Sequence, residues 1–392
     1  MKTTTMMALA GALAFAAPAA AETVKIGMVT TLSTGAGYLG EDVRDGFLLA
    51  VKEEGGKLGG TDVEVLVEDD GRKPGTGRQI AQRFIERDGV EIMTGVIFSN
   101  ISPVVWPLAE EAGIFYVTPN SAPSAYAGAG CHEDYFAVAW QNDSLHESVG
   151  VLSNDLGHGN AFIMAANYQA GKDAIAGFKR YFKGEIVGEL YPALGQTDYA
   201  AEIAAIRDAK PAMVYHFLPG GMGINFIKQY AQAGLGGTIP QVLSGAGMES
   251  RILGAVGETA LNVASTSHWS ADFDNEANKA FVAGFEAEYG RLPSVYASQG
   301  YDTAKLIASA LKATGGKVLE DKDGFRNAMR AADFASVRGE FRFNNNQHPI
   351  NDWINQVVEK DADGALVLRS KGIVAPALAD AYAGECALDW NK

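Results

Sequence analysis

The sequence predicts an α/β protein made of two doubly wound, Rossmann-like halves. Short apolar runs of strand length alternate with longer segments whose apolar residues recur at helical spacing, and this alternation occurs in two series of similar plan. Alternating strands and helices build a parallel sheet with helices on both faces. A chain of 392 residues also exceeds the size that one hydrophobic core usually organises, so we expect two domains.

Each series consists of short predicted strands separated by helices. In the first, strands are predicted at 23–32, 63–67, 90–94 and 114–117, and helices at 41–54, 77–87 and 101–112. In the second, strands are predicted at 161–165, 186–190, 213–217 and 241–243, and helices at 143–156, 172–181, 199–208 and 223–233. Helices at 276–289, 297–312 and 322–330 and strands near 338–343 and 353–358 follow, shared between the halves.

The N-terminus has the pattern of a secretory signal peptide. Lys2 precedes an apolar stretch at 6–17, and small residues follow at Ala19 to Ala21. The alternative is a retained anchor, but the stretch is shorter than the ~20 residues that span a bilayer. We therefore expect residues 1–21 to be removed after Ala21 and the mature chain to be periplasmic.

Composition and motifs exclude several classes of function. The formal net charge is −15 and no basic run is present, which argues against nucleic acid or anionic lipid as a partner. The HExxH and GxSxG signatures are absent, and the six histidines are scattered singly. The sequence predicts a binding protein without catalytic residues, cofactor or metal, and we expect a monomer.

The chain has two cysteines, Cys131 and Cys386. In an exported protein a pair of cysteines favours a disulfide, because an oxidising compartment seldom leaves two thiols free. Metal binding is the weaker alternative, since the sequence has neither a CxxC motif nor a nearby pair of histidines.

The loops after the strands are the expected binding site. In an open α/β sheet, ligands bind beyond the carboxyl ends of the strands, where helix N-termini offer free N–H groups. Such loops occupy corresponding positions in the two halves, which suggests a cleft that closes on a ligand. The candidates they contribute are Tyr38, Phe98, Ser99, Asn120, Ser121, Tyr168, Pro219, Gly220, Ala246 and Gly247.

Each candidate type also has a purely structural interpretation. Ser99 and Ser121, 22 residues apart, are placed either to bind one anion or to cap helices. Most aromatic residues belong to the core, but Tyr38, Phe98, Tyr168 and Tyr296 follow strands or begin helices and are candidates for a ligand wall.

A glycine motif in the first loop allows a second interpretation of the function, namely dinucleotide binding. The segment from Gly35 to Gly40 matches GxGxxG, which is typical of dinucleotide binding. The acids Asp69 and Asp70 come later than that motif requires, so close approach of the backbone to a ligand is the favoured interpretation.

Five segments of the chain resemble the leucine/isoleucine/valine-binding family of periplasmic receptors for ABC importers. They read KIGMVTTLSTGAGYLGEDVRDGFLLAV, GVIFSNISPVVWPLAEEAGIFYVTPNSAP, NYQAGKD, YHFLPGGMGINFIKQYAQAGL and PSVYASQGYDTAKLIASAL. The segments VRDGF, GGKLGG and WQND and the late Cys386 are most similar to the branch that binds aromatic or other organic carboxylates.

This resemblance implies two lobes joined by three crossings, the fold of type I periplasmic binding proteins. The first lobe is expected at 22–141 and 269–345 and the second at 142–268 and 346–372, with the tail 373–392 returning to the first. Ser99 and Ser121 would hold a ligand carboxylate. The resemblance places Tyr38, Tyr168 and Tyr296 in the cleft, and a membrane permease is the implied partner.

Two departures from the family pattern concern the ligand. Ala246 stands where amino-acid receptors carry a glutamate for the ligand ammonium, and Pro219 and Gly220 replace an expected tyrosine segment after Phe217. The favoured ligand is therefore an aromatic carboxylate, such as a benzoate or hydroxycinnamate. A branched-chain amino acid or amide is the alternative, with Glu249 or Asp302 as the substitute acid. A sensor lobe and an exported oxidoreductase are less favoured.

Overall fold

The computed structural model describes residues 23–390 and confirms the predicted α/β class. Six strands form the first sheet: β1 (Val24–Thr30), β2 (Lys57–Leu58), β3 (Thr61–Asp69), β4 (Ile92–Thr94), β5 (Phe115–Thr118) and β6 (Tyr135–Ala137). Their order is β2-β3-β1-β4-β5-β6, and all neighbours are parallel except the β2–β3 pair. The predicted signal peptide and its cleavage site lie outside the described residues.

Helices connect these strands as the periodicity predicts. They are α1 (Gly37–Glu53), α2 (Pro74–Arg83) with a π-helical turn at Phe84–Asp88, and α3 (Ser102–Ala112). Gly113 ends α3 with a φ of 67°, a left-handed conformation that glycine adopts without a steric penalty.

The second half of the chain contains two further sheets. Their strands are β7 (Asn160–Ala165), β8 (Glu185–Leu190), β9 (Val214–Phe217), β10 (Val242–Ser244), β11 (Ala264–Ser267), β12 (Asn351–Lys360) and β13 (Leu366–Leu378). The orders are β8-β7-β9 and β10-β11-β12-β13. A parallel bridge between Val214 and Gln241 continues the first of these sheets towards the second.

Five helices accompany these sheets: α4 (Asn142–Asp155), α5 (Gln169–Tyr181), α6 (Ala200–Ala209), α7 (Gly221–Gln232) and α8 (Ser250–Val256). The Gln141 side chain accepts hydrogen bonds from the N–H groups of Asp143 and Ser144, and it therefore fixes the start of α4 beside the first sheet.

Three later helices follow: α9 (Glu276–Tyr289), α10 (Val295–Thr314) and α11 (Lys322–Ala331). Two glycines let α10 lie directly against α1. A Cβ on Gly46 would lie 2.0 Å from the Ala297 carbonyl oxygen, and one on Gly300 would lie 1.9 Å from the Val43 carbonyl oxygen. This close contact returns the C-terminal part of the chain to the first lobe.

Three aromatic rings line up where the chain passes between the lobes. The Trp140 ring centroid lies 5.2 Å from that of His268, which lies 5.5 Å from that of Trp353. Asn351 also donates a hydrogen bond of 2.9 Å to the Ala139 carbonyl oxygen. The three crossing segments therefore pack side by side.

The prediction of a strand at 338–343 is wrong. Only isolated bridges join Ser336 to Gly339 and Phe343 to Pro349. The buried Arg338 side chain holds this segment instead, through Asp302 at 3.1 Å and the Val138 carbonyl oxygen at 2.6 Å. Sequence patterns missed five of the described strands and α-helices, namely β2, β6, α8, β11 and β13. Of these, β11 reads ASTS and has almost no apolar signal.

The predicted disulfide between Cys131 and Cys386 is confirmed, with a Cα–Cα distance of 5.7 Å. β13 continues to Leu378, so the tail begins later than the predicted residue 373. Beyond β13, Tyr382 donates a hydrogen bond of 2.8 Å to Asp143 of α4. The other lobe boundaries stay predictions. Within residues 23–390 no helix is long and apolar enough to cross a membrane.

Candidate functional site

A chain of hydroxyl groups lies at the carboxyl ends of β4 and β5. Because these strands are parallel neighbours, the loops that follow them meet at one edge of the sheet. Ser99 Oγ lies 2.9 Å from Ser121 Oγ, which lies 2.7 Å from Ser102 Oγ in the first turn of α3. Ser99 and Ser121 are buried. The structure thus brings the two predicted serines together and adds Ser102, which the sequence analysis did not single out.

Asn142 connects this hydroxyl chain to the second lobe. Its Nδ2 donates to Ser99 Oγ at 3.1 Å and to Asp173 Oδ2 at 2.9 Å. Asp173, on α5, also accepts hydrogen bonds from Ser124 and Gln169, and burial raises its pKa. Asn142 belongs to the WQND segment, which carries part of the family resemblance, but its contact with Ser99 depends on the position of α4 and has no signal in the sequence.

A small cavity of about 20 Å³ lies between the two lobes beside Ser99. Predicted residues that line it are Phe98, Ser99, Asn120, Tyr168, Pro219, Ala246 and Tyr296. Residues that the sequence analysis missed also line it, namely Leu39, Ile97, Trp140, Asn142, Leu145, His146, Ala170 and Phe217. A cavity of this size holds about one water molecule. A benzoate-sized ligand therefore enters only when the lobes open, and the walls then close around it with a wider spacing than in this structure.

Aromatic rings form a continuous row along the cavity. The Tyr168 ring lies 6.0 Å from Phe98 and 6.4 Å from Phe217, the latter nearly stacked at 20°. Phe217 lies 4.7 Å from the His146 ring. The row begins at Phe98, next to Ser99 in the chain, and ends at His146.

Four predicted site residues do not line this cavity: Ser121, which contacts Ser99 from outside the lining, and Tyr38, Gly220 and Gly247. The Tyr38 ring packs 5.3 Å from the Arg251 guanidinium, and its buried hydroxyl has no hydrogen-bond partner among the described residues. Gly220 precedes α7, and a Cβ there would lie 2.8 Å from the Ala36 Cβ. Gly247 lies in a turn in which its N–H donates to the Ser244 carbonyl oxygen at 2.8 Å. Their ligand-binding roles stay predictions.

Neither candidate substitute for the missing acid lines the cavity. Glu249 caps α8 by accepting hydrogen bonds from the N–H groups of Arg251 and Ile252, and burial raises its pKa to about 7. Asp302 is held by Ser336 and by Arg338. Among residues 23–390, those lining the cavity include no aspartate, glutamate, lysine or arginine. The cavity is therefore a neutral, largely aromatic site with a few hydrogen-bonding groups.

The glycine motif packs the first helix against the first strand. A Cβ on Gly40 would lie 2.1 Å from the Thr31 carbonyl oxygen, so only glycine permits this contact. The two acids of β3 brace the same loop: Asp70 accepts a hydrogen bond from Thr31 at 2.6 Å, and Asp69 accepts one from the Leu32 N–H at 2.8 Å. Within residues 23–390 no group of three or more His, Cys, Asp or Glu side chains could hold a metal ion.

An ion pair joins the lobes on one side of the cavity. Arg251, at the start of α8, lies 3.1 Å from Asp42 on α1. Asp42 is fully buried and also contacts Arg291 at 2.9 Å and the Ser294 hydroxyl. Burial raises the pKa of Asp42, while Ser294 and both arginines favour its ionised form. The pair can form only when the two lobes are close together.

The comparisons with known proteins all indicate the same family. The signature of the family described as periplasmic binding protein matches residues 23–364. Leu/Ile/Val-binding protein homolog 6 of Brucella melitensis is 26% identical over 375 residues, covering 92% of this chain and 94% of that protein.

Two solved structures are also similar. The first is an ABC-transporter solute-binding protein from R. palustris in complex with benzoate. It is 31% identical with a TM-score of 0.88, covering 94% of this chain and 100% of that one. The second is a solute-binding protein from Rhodopseudomonas palustris BisB5 in complex with 3,4-dihydroxybenzoic acid. It is 27% identical with a TM-score of 0.83, covering 92% of this chain and 99% of that one.

Proposed function

Because the chain belongs to the periplasmic binding protein family, we propose that it is an ABC-importer receptor that binds an aromatic carboxylate, of benzoate or hydroxycinnamate type, between its lobes. The observation that carries this proposal is the composition of the cavity wall. It combines hydroxyl and amide groups with aromatic rings and, among the described residues, has no acidic side chain.

The hydroxyl chain suits a carboxylate. Hydrogen bonds to an ionised acceptor are about twice as strong as neutral ones, so a buried carboxylate is stable where several donors converge. The Ser99 hydroxyl can turn its hydrogen towards a ligand oxygen while it accepts the hydrogen bond from Asn142. Ser121 and Ser102 lie on the side of Ser99 that faces away from the cavity, and they orient its hydroxyl group. Ser121 thus contributes to carboxylate binding without lining the cavity.

The walls suit a flat apolar ring. Phe98 extends from the first lobe, while Tyr168 and Phe217 extend from the second. Offset and edge-to-face contacts between aromatic rings contribute about 0.5–1.5 kcal/mol each beyond the burial of area. A ligand ring between these side chains would hold the two lobes together.

A branched-chain amino acid or amide is the second candidate, favoured by the name of the Brucella relative. A buried ammonium without a partner costs several kcal/mol even after relaxation. Ala246 supplies no charge, and Glu249 and Asp302 are engaged elsewhere. The cavity therefore favours a ligand without the amine.

The family also suggests the cellular setting. Its members bind solutes outside the cytoplasm and deliver them to a permease, and the similar structures are receptors. We assign this chain the same partner and a periplasmic location, with no catalytic role. Lobe closure on the ligand would give the permease a distinct surface to recognise.

Calorimetric titration of the mature protein tests the ligand class. The panel consists of benzoate, 4-hydroxycinnamate, phenylalanine and leucine. We expect an aromatic acid to bind at least a hundredfold more tightly than either amino acid. Thermal unfolding gives a second readout, because a ligand at 100 times its Kd adds roughly 2.7 kcal/mol of stability. Micromolar binding of leucine together with no response to the aromatic acids would refute the proposal.

A further inference from the structure

The structure gives His146 a fixed role in the cavity wall. His146 lies on α4, is only 2% exposed and lines the cavity. Its Nδ1 lies 2.7 Å from the Tyr215 hydroxyl, and its other ring nitrogen, Nε2, has no hydrogen bond to residues 23–390. Nε2 is therefore the ring atom available to a ligand.

The Tyr215 hydroxyl determines which nitrogen carries the hydrogen. Tyr215 is fully buried, and its ring is stacked 4.4 Å from Phe178. Among the described residues, His146 Nδ1 is its only hydrogen-bond partner. If Nδ1 carried the hydrogen, the phenolic hydrogen of Tyr215 would be buried without an acceptor, which is costly. Tyr215 therefore donates to Nδ1, and the neutral imidazole carries its hydrogen on Nε2.

The imidazole remains neutral at physiological pH. Burial lowers the pKa of His146 to about 3, and the same effect raises the pKa of Tyr215. The cavity thus contains an uncharged N–H donor that is independent of the serine chain.

Two geometric relationships separate this donor from Ser99 within the cavity wall. Asn142 and His146 are four residues apart and share one face of α4, roughly 6 Å apart along the helix axis. Asn142 contacts Ser99, so His146 lies one turn further into the second lobe. The aromatic row also leads from Phe98 beside Ser99, through Tyr168 and Phe217, to His146.

We propose that His146 Nε2–H donates a hydrogen bond to an oxygen substituent on the ligand ring, opposite the carboxylate, so that the site prefers 4-hydroxylated aromatic acids. This inference rests on the proposed function, because it takes the carboxylate to be bound at Ser99. Within that class of ligand it identifies the ring substituent that the second lobe recognises.

The test compares 4-hydroxybenzoate with 4-methylbenzoate, which has a substituent of similar size without an acceptor, and with benzoate. A neutral hydrogen bond corresponds to a preference of roughly 2- to 12-fold for the hydroxylated acid in calorimetry. In His146→Phe this preference should fall to about one, and 4-hydroxybenzoate should lose more affinity than benzoate. His146→Gln, which retains an N–H donor, should restore part of the preference.

His146→Phe also removes the acceptor for Tyr215, so the double variant His146→Phe/Tyr215→Phe is the control for folding. Two outcomes would overturn the inference. One is an unmodified protein that binds benzoate but does not distinguish the hydroxyl from the methyl group. The other is an equal loss of benzoate and 4-hydroxybenzoate in His146→Phe, which would place the carboxylate at His146. Failure of every aromatic acid to bind the unmodified protein would instead refute the proposed function, and this inference with it.

Discussion

Ser99 Oγ lies 2.9 Å from Ser121 Oγ, although 22 residues separate the two serines in the chain. Neither hydroxyl caps the helix that follows it. The residue that precedes α3 is Ile101, the residue that precedes the 3-10 turn at Ser124–Tyr126 is Pro123, and neither start has a side-chain cap. The purely structural interpretation of Ser99 as a helix cap is therefore wrong, and its hydroxyl is held in a chain that ends at the cavity.

Replacement of Ser99 by alanine should weaken ligand binding strongly. Loss of a hydrogen bond to a charged group costs about 1.5–3 kcal/mol, which is roughly 10- to 150-fold in Kd. Calorimetry with the aromatic acid that binds most tightly measures this change.

Ser153→Ala is the matched control. Ser153 is also fully buried, and its hydroxyl donates to the Val149 carbonyl oxygen at 2.7 Å within α4, away from the cavity. The Kd of the Ser153→Ala variant for the same aromatic acid should stay unchanged. Equal affinities for Ser99→Ala and the unmodified protein would show that the carboxylate binds elsewhere.

Replacement of Ala246 by glutamate should also weaken binding of aromatic acids. Ala246 is 2% exposed and lines the cavity, so the new carboxylate would face that of the ligand. At a separation of about 8 Å and an effective dielectric constant of about 20, the repulsion is about 2 kcal/mol, roughly 30-fold in Kd.

Ala246→Gln separates this charge effect from overpacking, because the amide has nearly the same size. The charge argument requires the glutamate variant to bind more weakly than the glutamine variant at pH 8. Identical affinities in the two variants would leave crowding as the sole cause.

Removal of the contact between Arg251 and Asp42 should favour the open form. Arg251→Gln removes an inter-lobe ion pair whose arginine is 30% exposed, so the expected cost is about 0.5–1 kcal/mol. Since the ligand binds the closed form, its apparent Kd should rise about two- to fivefold. Small-angle scattering without ligand should show a larger radius of gyration.

Lys52→Gln controls for the loss of surface charge in this experiment. Lys52 pairs with Glu288, so its contact joins α1 to α9 within the first lobe. It should change neither the radius of gyration nor the affinity. A similar response in both variants would contradict a role for the Arg251 contact in closure.

Glu249 should make stability depend on pH between about 4.5 and 7. Burial raises the pKa of this carboxyl group from its ordinary value of 4.5 to about 7, so the folded state retains a proton that the unfolded state loses. The resulting stabilisation is fully present below pH 4.5 and is lost as the pH rises through 7. At about 1.4 kcal/mol per pH unit, the loss across this window is about 3 kcal/mol.

Urea unfolding of Glu249→Gln measures this effect. The glutamine cannot ionise, and its single amide oxygen can accept one of the two N–H hydrogen bonds, which in Glu249 go to different carboxylate oxygens. The lost hydrogen bond shifts the stability of the variant equally at every pH. The stability of the variant relative to the unmodified protein should therefore increase by about 3 kcal/mol between pH 4.5 and pH 8.5. Parallel stability curves over this range would show that Glu249 does not hold a proton in the folded state.

The sequence was sufficient to predict the parts of the molecule that depend on local periodicity. Short apolar runs marked β1, β4 and β5, and the rule that ligands bind beyond parallel strands placed Ser99 and Ser121 at one edge. By contrast, β11 reads ASTS, so serine and threonine fill most of its buried positions and give no apolar signal. One of them, Thr266, forms a hydrogen bond of 2.6 Å with Ser148 of α4.

The remaining site residues depend on how the second lobe is positioned. Asn142 and His146 belong to a helix whose existence was predicted, but the face it turns towards the cavity follows from packing between lobes. Tyr38 shows the converse. Its place after β1 predicts a cleft loop, but Tyr38 lies in the first turn of α1, where its ring packs against Arg251 of the other lobe.

The disulfide joins positions that are 255 residues apart, so every strand and helix from β6 to β13 lies between the two cysteines. The bond can therefore form only after all of these elements have been synthesised. Elements of both lobes lie within the loop that it closes, so the cross-link reports that the segment after β13 has returned to the loop after β5. A Cys131 thiol that reacts with a labelling reagent identifies molecules in which this return has not taken place.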